Sequence, residues 1–310
     1  MQGMLCRSGR CGGWASGLCF RNQLDILTFR CYDTISYSNC TGVSVVNLKN
    51  TVTHGWDWWA YQFRVVHRRG IEGIDFWDDR LVSFIVHVLD LRPGERLLDL
   101  ACGSGAHALR LARRGIEMVG LDIAPSLVRY CTEQAAAEGL DNVTFVEGDM
   151  RALPFHETFD ALVVLSTSFG FFDDETNQRV LEGIARALKP AGRLLLQLSD
   201  PHTFVQRQKA RCYWQERPEG IYWTETWFDP VTCVSHGIFR FTDNEGVTHL
   251  WDDHERVRLY TLPELRLMFD RAGLEISDVY GDILLPPVPY GPDWHQEMIV
   301  VGRRAQEDGR

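Results

Sequence analysis

Leu97-Leu98-Asp99-Leu100-Ala101-Cys102-Gly103-Ser104-Gly105-Ala106-His107-Ala108 decides the fold. An apolar run, short enough for a buried strand, enters a turn with two glycines and leaves as a helix that Gly115 ends. Glycine suits a backbone that must turn tightly and approach a ligand without a Cβ. The same alternation continues outward. Glu95–Ala101, Ile116–Leu121, Val143–Val146, Ala161–Leu165 and Arg193–Leu198 read as strands; Ala106–Arg114, Ser126–Glu138 and Glu175–Leu188 read as helices. Strands alternating with helices of this length predict an α/β fold, a doubly wound, Rossmann-like parallel sheet covered on both faces.

Beyond Asp200-Pro201 the rhythm changes. Tyr222–Phe228, Val234–Phe241 and Val247–Tyr260 are strand-like runs separated by turn residues, which predicts an inserted antiparallel meander. A helix at Pro263–Ala272, with Thr261 as N-cap and Gly273 as stop, returns the chain to the sheet, and strands near 275–280 and 296–302 complete it. On the N-terminal side a helix is predicted at about 75–90, preceded by the aromatic cluster Trp56, Trp58, Trp59, Tyr61 and Phe63. The organisation read from this is a poorly ordered extension (1–50), a helical cap (51–90), a core (91–200 and 261–304) and a β insertion covering the site (201–260).

The 310 residues are 45% hydrophobic and 24% charged, enough apolar content for a sizeable core. No run approaches the roughly 18–20 apolar residues of a membrane span, so a membrane partner is not expected and a cytoplasmic location is. A net charge of −10 argues against a general nucleic-acid binder. Residues 1–50 hold five of the nine cysteines, without C-x2-C spacing and without a nearby histidine, which is a poor zinc pattern.

Three carboxylates follow successive strands: Asp99, Asp122 and Asp149. Ligands of open α/β sheets bind beyond the carboxyl ends of the strands, so the three converge on one crevice. Gly103-x-Gly105-x-x-Ala108 also satisfies a dinucleotide fingerprint, which makes an NAD-dependent oxidoreductase an alternative. Asp99 disfavours it, because a carboxylate beside the glycine turn repels a pyrophosphate and attracts an ammonium or sulfonium. A carboxylate after the second strand suits a ribose diol, and one after the third can accept from an adenine amino group. A cationic amino acid, a ribose and an adenine together describe S-adenosylmethionine.

With these features the chain resembles class I S-adenosylmethionine-dependent methyltransferases, of the bacterial branch acting on small molecules. The resemblance spans about 56–304. It rests on the 97–108 loop, Gly120-Leu121-Asp122-Ile123-Ala124-Pro125, Gly148-Asp149-Met150-Arg151, Thr167-Ser168-Phe169-Gly170-Phe171-Phe172, Ala187-Leu188-Lys189-Pro190-Ala191-Gly192 and Arg258–Leu265. It implies a seven-strand sheet with the last strand antiparallel. It also implies that Asp99, Ala101 and Gly103 contact the methionine part and that Gly105 permits close approach. Asp122 would hold the ribose and Ile123 would pack on the adenine, whose edge Asp149 and Met150 would read. Leu165 and Ser166 would line the crevice near the methyl group. Many relatives carry Arg where this chain has Ala106, a departure that loosens contacts to the methionine carboxylate, and Gly where it has Ala191, read as neutral.

Methyl transfer from a sulfonium needs orientation and a deprotonated nucleophile. Ser166-Thr167-Ser168-Phe169-Gly170 lacks the Asn/Asp-Pro-Pro-Tyr/Phe pattern of amino-directed nucleic-acid methyltransferases. The expected partner is therefore a small-molecule methyl acceptor, methylated on oxygen or nitrogen, with no nucleic acid; a homodimer is compatible with such a chain. His202, after the fifth strand, is the candidate general base, and Tyr260 a second candidate catalytic group. Cys102 reads as packing. Asp252-Asp253-His254-Glu255 reads as a solvated edge, since consecutive strand residues alternate faces and cannot converge on one ion. A protein or RNA methyltransferase and a non-catalytic cofactor-binding module complete the alternatives.

Overall fold

The computed structural model describes residues 51–54, 75–207, 212–217, 220–251, 254–291 and 297–305. The chain divides into two units, Met1–Thr51 and Val52–Arg310. The expected extension at 1–50 and the aromatic cluster at 56–63 lie outside the described residues. Of the expected helical cap (51–90), the described parts are a short strand, β1 (Thr51–His54), and helix α1 (Asp75–Val88).

The second unit then alternates: β2 (Arg96–Leu100), α2 (Ala106–Ala112), β3 (Glu117–Asp122), α3 (Pro125–Glu138), β4 (Val143–Glu147), β5 (Phe159–Val164), α4 (Asp174–Ala187) and β6 (Leu188–Leu198). Next comes the insertion, α5 (Pro201–Arg207), β7 (Cys212–Arg217), β8 (Gly220–Asp229), β9 (Val234–Asp243), β10 (Thr248–Trp251) and β11 (Glu255–Arg258). Helix α6 (Leu262–Arg271) and strands β12 (Leu274–Tyr280) and β13 (Met298–Arg304) close the fold. The core sheet has seven strands in the order β12-β13-β6-β5-β2-β3-β4. Strands β2 to β6 run parallel, and β13 is antiparallel to both β6 and β12. Chain order reverses between β2 and β5, which opens a crevice at their carboxyl ends.

Both faces of this sheet are buried, and the strand period of two sorts its residues between two cores. Leu98, Leu100, Val119, Leu121, Leu162, Val164, Leu194 and Leu196 belong to one, which also holds residues of α4 and α6. Leu97, Met118, Ala161, Val163 and Leu195 belong to the other, with residues of α1, α2 and α3. An unbroken apolar run such as Leu194-Leu195-Leu196 is what such a doubly covered strand requires. Ala191, read from sequence as neutral, has a left-handed backbone at φ 61, so it carries roughly 1 kcal/mol of strain that glycine would not.

The inserted sheet is antiparallel, β7-β8-β9 in sequence, with β10 and β11 both on β9. The run expected as one strand, Val247–Tyr260, is thus two: β10 pairs with the end of β9 (Thr248 opposite Thr242) and β11 with its start (Glu255 opposite Gly237). This sheet has two distinct faces. Thr224, Phe241 and Val257 are buried on one, whereas Arg240 and Arg256 are exposed on the other. The buried face meets the core at the loop after β5 and at α5. The Arg258 N–H donates to the Gly170 carbonyl (2.8 Å), a Cβ at Gly170 would meet Val257, and the Phe204 and Phe228 rings lie 6.2 Å apart.

Where the insertion rejoins the core, Tyr260 is 3% exposed. Its hydroxyl donates to Asp174 Oδ1 (2.7 Å) and accepts from Asn177 Nδ2 (2.9 Å). The sequence assigned Tyr260 a catalytic role. Its side-chain oxygen is hydrogen-bonded on both sides at the start of α4, and we propose a structural role for it in place of the catalytic one expected from the sequence. Tyr260→Phe is expected to lower stability by about 1 kcal/mol, because Asn177 keeps its bond to the Phe172 carbonyl. A thermal shift of a few degrees with methyl transfer unchanged would bear this out; lost turnover with unchanged stability would restore the catalytic reading.

Candidate active site

The glycine turn is laced to the end of β3. Ala101 and Cys102 both donate their N–H to the Leu121 carbonyl (2.8 and 3.1 Å), and the Gly103 N–H donates to Asp122 Oδ2 (2.8 Å). Asp122 Oδ1 accepts from the Ala124 N–H (2.9 Å). Each carboxylate oxygen carries two lone pairs, so Asp122 retains acceptor capacity toward a diol. Its burial pushes its pKa up, and the backbone N–H donors pull it back. Ala101, Gly103 and Gly105 all have left-handed backbones. A Cβ on Gly103 would meet nothing within 4 Å, whereas one on Gly105 would meet Cys131 and Phe145. Gly105 thus faces the protein's own interior, and the open side of the turn is at Gly103.

Asp99 is 1% exposed, and its Oδ2 has no hydrogen-bond partner among the described residues. Burial raises its pKa from 3.8 to about 6; the nearby His107 lowers it and Asp122 raises it. An orphaned buried carboxylate oxygen is costly unless a donor fills it. Ile123, next to Asp122, is 46% exposed, an apolar surface at the mouth of the crevice. Together these fit a ligand with a cationic end, a hydroxylated middle and a flat apolar end.

Asp149 follows the end of β4, and part of its acceptor capacity is taken within the chain. It caps the short 3-10 turn Met150–Ala152 through the Arg151 N–H (2.8 Å), and the Arg151 guanidinium grips both its oxygens. That grip holds its pKa below the usual carboxylate range. Met150 is half-buried and packs against the first core. Cys102 is buried under the turn, its thiol pushed up by its bond with Cys131 and by burial, in keeping with a packing role.

On the other side of the crevice, Leu165 is buried, while Ser166 and Thr167 are consecutive non-glycine residues with left-handed backbones (φ 52 and 58). Such strain persists only where the surroundings over-determine it. Gln197 does so: its side-chain Oε1 accepts from the Ser166 N–H (3.0 Å), and its carbonyl accepts from the Thr167 N–H (3.0 Å). Glu297 in turn accepts from Gln197 Nε2 (2.7 Å). Sequence reasoning missed this clamp, although a lone glutamine inside Leu194–Leu198 signals it. Asp200 N-caps α5 through Thr203 and accepts from the Tyr290 hydroxyl (2.5 Å). His202 is exposed on α5 and has no hydrogen-bond partner among the described residues. Glu255, read as part of a solvated edge, is instead half-buried on β11.

Residues 97–192 match the family profile described as Methyltransferase domain. The chain is 34% identical over 249 residues to cypemycin N-terminal methyltransferase from a Streptomyces species, covering 77% of this chain and 98% of that protein. Among solved structures, an S-adenosylmethionine-dependent methyltransferase from Clostridium acetobutylicum superposes with a TM-score of 0.64 at 15% identity, over 79% of this chain and 97% of that one. An amino pentose methyltransferase from Micromonospora echinaspora, solved with S-adenosylmethionine bound, gives 0.52 at 23%, over 79% and 95%. The alternative of an NAD-dependent oxidoreductase falls with these matches.

Proposed function

The chain belongs to the S-adenosylmethionine-dependent methyltransferases, and from that premise we propose that it methylates an amine nitrogen, carried on a small compound or at the α-amine of a short peptide. The observation that carries this is the N-terminal methyltransferase likeness, which extends over 249 residues, well beyond the matched domain at 97–192. It therefore includes acceptor-side sequence as well as the cofactor half.

When bound, S-adenosylmethionine supplies a methyl carbon made electrophilic by its sulfonium. In this proposal Asp99 accepts from the ammonium of the methionine part, a donor that would satisfy its orphaned oxygen. Ala101 and Gly103 line that end, Gly105 shapes the turn, and Asp122 uses its remaining lone pairs on the ribose. Ile123 covers the adenine, Met150 packs beside it, and Asp149 reaches its edge with the acceptor capacity that Arg151 leaves. Leu165 and Ser166 bound the side where the acceptor enters.

The test uses the purified chain with methyl-labelled S-adenosylmethionine and three probes: tri-alanine, N-acetylated tri-alanine and an amino sugar. Label in the free amines, and none in the acetylated peptide, is expected. Equal label in the acetylated peptide, or label on hydroxyls alone, would overturn the amine assignment.

A further inference from the structure

On the buried face of the inserted sheet, residues directly opposite one another share a side. Thr226, Gly237 and Glu255 form one such row across β8, β9 and β11, and Phe228, Ser235 and Val257 form the next. The second row is the one that meets the core, with Val257 against Gly170 and Phe228 near Phe204. Gly170 and Phe204 follow β5 and β6, so they stand at the carboxyl ends of the strands beside the crevice. Glu255 lies one strand repeat, roughly 7 Å, from Val257 on the same face. Its carboxylate lies across Gly237: a Cβ built on that glycine would stand 3.0 Å from Glu255 Oε2 and 3.0 Å from the Phe239 ring.

This carboxylate is half-buried, yet it makes no ion pair or hydrogen bond with a described residue. The nearby cations belong elsewhere. Arg256 is on the outer face, where His236 and His254 bond each other (3.0 Å), and Arg258 is held by Glu264 and Asp174. Among the described residues, the other titratable groups of the inner face are Tyr222, His249 and Asp243: Tyr222 and His249 both pack on Phe241, and His249 is bonded to Asp243. On the same face, Gly237 and Thr226 stand in the row of Glu255, Val257 follows it along β11, and the Phe239 ring reaches the same space over Gly237. A desolvated carboxylate beside an aromatic ring is chemistry that recognises an organic ammonium.

We infer that Glu255 is the acceptor-side base: it receives the ammonium of the amine acceptor and takes one of its protons. The inference rests on the amine reading proposed above. In the step, one N–H bond breaks and one O–H bond forms. The ammonium becomes a neutral amine with a free lone pair, and the carboxylate becomes a carboxylic acid. No other bond changes and no further reactant is needed. Burial supports the assignment, since it raises the Glu255 pKa from 4.5 to about 7. That is close to the roughly 7.7–8.0 of an α-ammonium, so the proton moves between nearly matched groups.

The experiment compares the wild-type chain with Glu255→Gln and Glu255→Asp, using tri-alanine as acceptor across pH 6 to 9.5, and measures S-adenosylhomocysteine binding by calorimetry. Glu255→Gln is expected to lower kcat/KM by about 10²-fold near neutral pH. Its loss should shrink at high pH, where the amine ionises without help, and the aspartate should restore part of the rate. Product-cofactor affinity should stay unchanged, which shows that the variants fold. A glutamine variant with wild-type kcat/KM and pH profile would overturn the role of Glu255 while leaving amine methylation standing. A wild-type chain that methylates hydroxyls and no amine would overturn both.

Discussion

Asp99→Asn should lower affinity for S-adenosylmethionine by roughly 10²–10³-fold while leaving the fold intact or firmer. The two halves of this expectation have one cause. Asp99 is buried, with its Oδ2 unpartnered among the described residues. A carboxylate held at about 6 rather than 3.8 binds its proton more tightly folded than unfolded. Stability then falls as pH rises from 3.8 to about 6, and above that the ionised group costs the ligand-free chain about 3 kcal/mol. Asparagine keeps the shape and removes the charge, so this pH slope should vanish from thermal unfolding curves of the ligand-free variant. The ligand's ammonium meets a neutral amide in place of a buried carboxylate, and losing one partner of such a pair costs about 3–5 kcal/mol. In the wild type, affinity should weaken as pH drops through about 6, because the protonated carboxyl no longer presents a charge to the ammonium. Calorimetry near pH 5 and pH 7.5 on both proteins checks this. A variant that binds as tightly as the wild type at both values would remove Asp99 from the site.

The core was legible because its signals are local. Short apolar runs such as Leu194-Leu195-Leu196, bounded by turn residues, read as strands covered on both faces, and the carboxylate at the end of the first strand, Asp99, is followed by Asp122 and Asp149 at the next two strand ends. What escaped depends on contacts far apart in sequence. Gln197 matters through Ser166, 31 positions away, and the Tyr260 hydroxyl is bonded to Asp174, 86 positions away. Glu255 was misread for a subtler reason. Its neighbours in Asp252-Asp253-His254-Glu255 are polar, and composition alone suggests solvent. The period of two was the better guide: Glu255 shares its side of the strand with buried Val257, whereas His254 shares its side with exposed Arg256. Asp149 shows the opposite limit, since Arg151 two residues on was visible from the start, but only the geometry reveals that it closes on both carboxylate oxygens.

The two glycines of the turn should respond oppositely to the same substitution, and that contrast separates folding from binding. At Gly105, φ is 71, and a Cβ would stand 2.8 Å from Cys131 Sγ and 2.9 Å from two atoms of the Phe145 ring. Cys131 is wholly buried and Phe145 nearly so, so neither can step aside cheaply. An alanine there adds roughly 1–2 kcal/mol of left-handed strain to about 1–3 kcal/mol of overpacking. Against a total stability on the order of 5–15 kcal/mol, Gly105→Ala should lower the melting temperature by many degrees and reduce soluble yield. At Gly103, φ is 56 and nothing lies within 4 Å of the same atom. Gly103→Ala therefore bears only the backbone strain, and it should fold. Its methyl group enters the open side of the turn, next to the N–H that bonds Asp122, where the methionine part is proposed to lie. The expected result is a well-folded protein with cofactor affinity weakened by at least about tenfold, against a Gly105→Ala protein whose defect is in folding itself. Thermal melts with and without S-adenosylhomocysteine distinguish them. If Gly103→Ala is stabilised by the ligand as much as the wild type, the open side of the turn is not where the cofactor sits.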